Sequence, residues 1–231
     1  MKRTHFYLGT AILVIPVIIF YMLNTGKQQY TQLPIYGEKI PPDGINQKDT
    51  IFYQIPSFEV INQNGQPVKQ QDLNNGIYLA NFFFASCKDV CPSMSRRLKA
   101  IYDDMQELAF KNKQLAEQKN MAITQTPVKF ISFSVDPEND SVPILKQYAN
   151  KFEVKENWYF VTTTKDNMFK IGRGFLLPVS IENKTIDHSQ QIVLIDKQNR
   201  IRGMYDALDD AEMKRLKDEI KVLLYEYSEQ K

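Results

Sequence analysis

The sequence predicts a single α/β domain standing behind one N-terminal membrane-spanning helix. Three observations carry that reading. The first is an uncharged run at residues 6–23, FYLGTAILVIPVIIFYML, matching the roughly 20 apolar residues a helix needs to cross a bilayer. The second is an alternation, further along, of short apolar runs of strand length with stretches whose apolar residues recur at helical spacing, the pattern of repeated βα units. The third is one strand-to-helix junction that carries Cys87 and Cys91, the only two cysteines of the chain.

Lys2 and Arg3 precede the apolar run, so the positive-inside rule keeps the N-terminus cytoplasmic and sends the remainder across the membrane. A cleaved signal peptide is the competing reading. It would have a shorter apolar region, about 7 to 15 residues, followed by small residues, and Tyr21-Met22-Leu23-Asn24-Thr25 supplies none of the expected kind. No cysteine stands at the end of the run for lipid attachment. Residues 1–25 are therefore expected to form a cytoplasmic N-terminus and a retained anchor in the plasma membrane, with the C-terminal part on the extracytoplasmic side. Residues 26–50, rich in Gln, Pro, Gly and charge around Pro41-Pro42-Asp43-Gly44, read as a linker. Without Lys2 and Arg3 the chain carries 27 basic and 27 acidic residues. That balance offers no basic stripe for nucleic acid.

The folded part, residues 51–231, opens with an apolar stretch at 51–60 and a short strand around Gln66-Pro67-Val68, joined through Asn62-Gln63-Asn64-Gly65. Asn-Gly is a strong hairpin signal. A turn at 72–76 leads into the apolar run 79–84, LANFFF, which suits a strand buried on both faces. From Pro92 the period changes: Met94, Leu98, Ile101, Met105 and Leu108 mark one face of a helix reaching about Lys119. Pro92 fits a first helical position, where no N–H is needed, so Cys91 falls near the N-cap and Cys87 in the loop before it. Residues 128–135, VKFISFSV, form the next buried strand, and 141–152 an amphipathic helix with Ser141 as its cap. A strand at 158–161, a helix at 165–175, strands at 191–196 and 200–205, and an amphipathic helix at 209–227 complete the chain.

Two thiols at a helix start feel the positive end of the helix dipole, which favours thiolate, the reactive and metal-binding form. A disulfide between them would close a tiny loop and remove little chain entropy, so a purely stabilising bridge is a weak explanation. The pair could instead close a reversible disulfide or hold one soft ion. Of the two histidines, His5 belongs to the cytoplasmic edge of the anchor, leaving His188 in the exported part. A lone histidine is commonly a hydrogen-bonded surface residue. In a doubly wound sheet, however, loops beside strand ends gather near the first helix start, and two thiolates with one imidazole would make a site suited to copper. Zinc would normally take a fourth ligand.

These residues resemble a known family. Residues 81–92, NFFFASCKDVCP, the segment 134–140, SVDPEND, and Asp187-His188-Ser189 leading into IVLID at 192–196 are similar, in order, to the Sco/SenC proteins. The resemblance implies a thioredoxin-like fold, in a peroxiredoxin-like variant with an N-terminal hairpin. It also implies a membrane-anchored copper protein that assembles the dinuclear copper centre of cytochrome c oxidase. Cys87, Cys91 and His188 would then be the copper ligands, with Asp136 and Asp187 beside them rather than on the metal. The expected partners are the copper-bearing oxidase subunit and, beyond it, other copper chaperones or thiol reductases. Two features depart from the pattern: Lys88 stands where many relatives have proline, and residues 176–185 show no family pattern.

The main alternative is a thiol-disulfide oxidoreductase using Cys87 and Cys91 as its redox pair to reduce the cysteines of a copper-accepting partner. Such enzymes usually carry a CxxC spacing, which is narrower than the one here. A peroxidase of the same fold class would have Thr three residues before its cysteine, where this chain has Phe84. Met94, Met105, Met168 and Met213 fall at helical apolar spacings and belong to the core.

Overall fold

The structure, a computed structural model, describes residues 14–17, 32–40, 51–74, 76–119, 126–180, 185–186 and 190–228. The chain divides into two compact units, Met1–Thr31 and Gln32–Lys231. In the first, residues 14–17 are helical; the rest of the expected anchor at 6–23 lies outside the described residues. Among the described residues no helix is long and apolar enough to cross a membrane.

The second unit is built on strands β1 (Lys39–Ile40), β2 (Ile51–Phe52), β3 (Glu59–Asn62), β4 (Pro67–Lys69), β5 (Ile77–Phe83), β6 (Val128–Ser134) and β7 (Trp158–Thr162), followed by β8 (Val179–Ser180), β9 (Thr185–Ile186), β10 (Gln191–Ile195) and β11 (Ile201–Asp206). Its helices are α1 (Val90–Gln118), α2 (Val142–Lys151), α3 (Lys165–Gly174) and α4 (Asp210–Ser228). Seven strands form the main sheet in the order β11-β10-β5-β6-β7-β3-β4. The central strands β5, β6 and β7 run parallel, while β10 and the hairpin β3-β4 join them antiparallel. This is the thioredoxin-like α/β arrangement that the motifs imply, with the predicted hairpin on the far edge.

Every residue of β5 is buried, as its mostly apolar character requires of a strand covered on both faces; its one amide, Asn81, is bonded by Ser132. Alternate side chains serve two cores. Ile77, Leu79 and Phe83 meet Met94, Leu98, Ile101 and Met105 of α1, Leu145 and Tyr148 of α2 and Leu216, Ile220 and Leu223 of α4. Tyr78, Ala80 and Phe82 meet Phe58, Met168, Ile171 and Phe175 on the opposite face. The alternation follows from the two-residue period of a strand. It directs the end of β5 and the start of α1 to the same edge of the sheet.

Several boundaries differ from the sequence expectation, each for a physical reason. Helix α1 begins at Val90 with Asp89 at the N-cap, two residues before Pro92. The first turn of a helix has free N–H groups throughout, so proline is tolerated there and does not mark the first position. Ser141 occupies the N-cap of α2, but its side chain makes no capping hydrogen bond. Asp209 does cap α4, its Oδ1 accepting from the N–H groups of Ala211 and Glu212 at 2.7 and 3.1 Å. Part of the stretch read as linker is attached to the domain. Tyr36 N–H donates to Ile201 O at 2.9 Å, and Arg202 Nη2 donates to Leu33 O at 2.9 Å.

Candidate metal and redox site

The site is assembled where β5 and β6, neighbours in the sheet, both end. Val135 N–H donates to Phe83 O at 2.8 Å, locking the two strand ends together. Beyond Phe83 the chain makes a turn over residues 84–87, closed by Cys87 N–H donating to Phe84 O at 3.2 Å. Residues 88–89 then lead into α1.

Cys87 is half-buried and Cys91 buried, and both are free thiols. They sit against each other: the Cys91 N–H donates to Cys87 Sγ at 3.3 Å, so Cys87 serves the exposed first turn of α1 much as a capping side chain would. Burial opposes ionisation of Cys87. The Cys91 thiol and the N–H groups of Cys91, Asp89 and Val90 together outweigh burial and hold the Cys87 thiol below its usual range. Cys91 goes the other way. Burial, followed by the hydrogen bond it gives Cys87, pushes its thiol up to about 12. The result is an asymmetric pair, a half-buried thiol biased toward ionisation and a buried thiol held protonated behind it.

Asp136 and Asp140 lie on the turn that follows β6. The Asp136 carboxylate accepts two hydrogen bonds from Asn139 Nδ2, at 2.9 and 3.0 Å, and reaches no other described group. Asp140, which the motif reading did not single out, is the carboxylate that touches the cysteine turn. Its Oδ2 accepts from Ala85 N–H at 3.0 Å and from Ser134 Oγ at 2.6 Å. Burial raises its pKa, against the hydrogen bonds from Ser134 and Ala85. The signal that could have found it is the strand order: in a parallel pair the loops after adjacent strands share one edge, so a residue soon after β6 faces the loop after β5.

Behind the cysteines the polar groups are satisfied internally. Trp158 Nε1 donates to Ser132 Oγ at 2.9 Å, Ser132 Oγ donates to Asn81 Oδ1 at 2.6 Å, and Ser95 Oγ lies 3.1 Å from the Tyr148 hydroxyl. Tyr148 packs against Phe83 with ring centroids 4.8 Å apart and the rings tilted by 35°. The floor of the site is thus rigid and closed, and the chemistry faces outward through Cys87. Asp187 and His188 lie outside the described residues, flanked by β9 and β10. Among the described residues no three potential ligands of the His, Cys, Asp and Glu types converge.

Comparison with known proteins completes the picture. A family model described as SCO1/SenC matches residues 47–224. The SCO1 protein homolog of Bacillus subtilis (strain 168) is 32% identical over 116 residues, 50% of this chain and 52% of that protein, so the match spans about half of that relative. A SCO2-like protein of Rickettsia prowazekii is 31% identical over 195 residues, 79% of this chain and 78% of its own length. Among solved structures, ScoI of Arabidopsis thaliana with copper bound shares the fold at a TM-score of 0.55 and 21% identity, covering 72% of this chain and 96% of that one. The family model spans all seven strands of the main sheet and runs into α4, taking in the cysteine turn built above, and on that extent of match the chain belongs to the SCO1/SenC family.

Proposed function

We propose that this protein binds copper as cargo through Cys87, Cys91 and His188, and uses it to mature the dinuclear copper site of cytochrome c oxidase. In this reading residues 6–23 anchor the domain in the plasma membrane, and the copper-bearing oxidase subunit is the partner on the extracytoplasmic side. On the same reading Asp187 adjoins His188 in the chain and Asp136 supports the site from the turn after β6, neither being a ligand. Copper is carried by the relative whose structure holds it, and oxidase assembly is what the family resemblance implies.

The observation that carries the reading is the pair of adjacent free thiols where the turn 84–87 meets the first turn of α1. One is already biased toward thiolate by the helix N–H groups, and a soft ion is what paired sulfur donors select. The second thiol costs a proton when it binds, so copper uptake releases acid. An imidazole added to two thiolates gives a low-coordinate site from which a competing set of ligands can remove the ion, as delivery requires.

Copper titration of the intact chain tests this. Sulfur-to-copper charge-transfer absorption is expected, absent in Cys87→Ser and in Cys91→Ser and shifted or lost in His188→Ala. Unchanged binding in the combined Cys87→Ser and His188→Ala protein would remove the proposed site.

The split ionisation of the two thiols favours one second reading, a thiol-disulfide oxidoreductase acting on the cysteines of a copper-accepting partner. A half-buried thiol biased toward ionisation, backed by one held protonated, is the arrangement for attack on a disulfide followed by resolution. Under that reading His188→Ala retains full reductase activity on a disulfide-bonded partner; under the copper reading His188→Ala impairs oxidase maturation.

A further inference from the structure

An aspartate just before a helix ordinarily turns its carboxylate onto the free N–H groups of the first turn. Asp140 directly precedes the N-cap residue Ser141, yet its carboxylate bonds lead away from α2. The carboxylate is buried, with 2% of its residue surface exposed, and spans the gap between the ends of β5 and β6. It accepts from Ser134 Oγ on one side and from Ala85 N–H on the other. Its own N–H donates to Asp136 O at 2.8 Å, and Asp136 N–H donates to Ser134 Oγ at 3.2 Å, so the turn bearing it is braced at both ends.

Ala85 is the second residue of the turn 84–87 that presents Cys87. The N–H at this position has no partner within a turn of that kind, where the bond runs from the fourth residue to the first. Without Asp140 that donor would be left over, although the Cys87 N–H to Phe84 O bond and the backbone bond of Phe84 to the Cys91 thiol would remain. From Asp140 an unbroken series of contacts therefore leads through Ala85 and the turn to Cys87, and from Cys87 Sγ to the Cys91 N–H.

We propose that Asp140 is the positioning residue of the cysteine pair: by holding the Ala85 N–H it fixes the turn 84–87 and so sets the distance at which Cys87 stands from Cys91. This rests on the reading that the two cysteines act together, as copper ligands or as a redox pair. A carboxylate suits the task because a hydrogen bond to a charged acceptor is about twice as strong as a neutral one. Burial among packed strand ends leaves it no water to turn toward.

The proximity of two thiols is read directly by exchange with glutathione. The reduced protein and oxidised glutathione give the protein disulfide and two molecules of reduced glutathione, each released glutathione thiol carrying one proton from a protein cysteine. The equilibrium constant at one pH measures how well the thiols are placed for each other. In the intact chain, Asp140→Ala is expected to lower it about tenfold, as losing one charge-assisted bond predicts, equivalent to about 30 mV for this two-electron couple. Asp140→Asn, which keeps an acceptor oxygen without the charge, is expected to restore part of it. A merely structural role would lower the unfolding temperature of Asp140→Ala without moving the exchange constant. An exchange constant in folded Asp140→Ala equal to that of the parent, or a value for Asp140→Asn as low as for Asp140→Ala, overturns the proposal.

Hydrogen exchange of the parent protein provides a check that needs no variant. The Ala85 amide is expected to be protected relative to the exposed Ser86 amide, and equal rates overturn the proposal. Neither measurement uses copper. A chain that binds no copper but shows these results sinks the copper reading alone, whereas a normal copper charge-transfer band with no Asp140 effect sinks this one alone.

Discussion

Cys87 and Cys91 are the same chemical group four residues apart, and what separates them is which end of the hydrogen bond each occupies. Cys87 accepts from the start of α1, while Cys91 is buried inside it. At neutral pH an alkylating reagent is expected to modify Cys87 at least about tenfold faster than Cys91, since only the thiolate reacts; peptide mass spectrometry after timed quenching checks this. Equal modification would remove the asymmetry on which both functional readings draw. Asp140 makes a pH prediction. Burial raises its folded pKa above the unfolded value of about 4, so the folded chain holds that proton more tightly than the unfolded one. Its contribution to stability is therefore full below the unfolded value and is lost as pH rises through the folded one. Asp140→Asn cannot ionise and is expected to gain in melting temperature relative to the parent as pH rises above about 4. A difference independent of pH would contradict it.

At the scale of elements, the edge strand β11 and helix α4 are joined by a buried ion cluster. Arg202, 4% exposed, donates to Asp196 Oδ2 at 3.2 Å through Nη1 and to Glu226 Oε2 at 2.9 Å through Nη2. It also holds Pro34 O and Leu33 O, while Leu33 N–H returns to Glu226 Oε1. The guanidinium's planar fork meets acceptors from three segments at once, a task a lysine cannot perform. Arg202→Met leaves Glu226 without the cation it pairs with here and Asp196 with Arg200 alone, and is expected to cost about 3 to 5 kcal/mol, measured by urea unfolding. The exposed pair Lys69–Glu59, 3.9 Å apart, is a contrast: Lys69→Ala is expected to cost at most about 1 kcal/mol. A loss of that size in Arg202→Met would mean the cluster does not hold the N-terminal segment to the domain.

At the scale of the whole molecule, the domain Gln32–Lys231 is compact by itself, and the reading of residues 6–23 as an anchor makes a separate prediction. The intact chain is expected to sediment with membranes after high-salt washing, and a chain lacking residues 1–25 to remain in the supernatant. Intact mass of the membrane-bound protein distinguishes a retained anchor from a cleaved leader. A membrane-impermeant thiol reagent applied to whole cells should reach Cys87 if the domain is outside the cytoplasm. Failure to label an otherwise reactive Cys87 would reverse the assigned orientation.

The order of strands and helices, the buried central strand and the meeting of thiols with a helix start were all legible in the sequence, because they depend on local periodicity: an apolar run such as 79–84 has few ways to be satisfied other than between two layers. The family was legible from ordered motifs. What required the tertiary structure was everything set by which strand lies beside which. Asp136 and Asp140 are indistinguishable as letters in SVDPEND, and only the pairing of β5 with β6 sends Asp140 to the cysteine turn and leaves Asp136 holding Asn139. Likewise nothing in the Gln- and Pro-rich composition of residues 26–50 says that Leu33 and Pro34 are held by Arg202, 169 and 168 positions away. Local pattern determines which elements form, since each residue's neighbours in sequence are its neighbours in the element. The ionisation of Cys87 and Cys91 and the placing of their turn were decided by contacts between segments far apart in the chain, which no window of sequence contains.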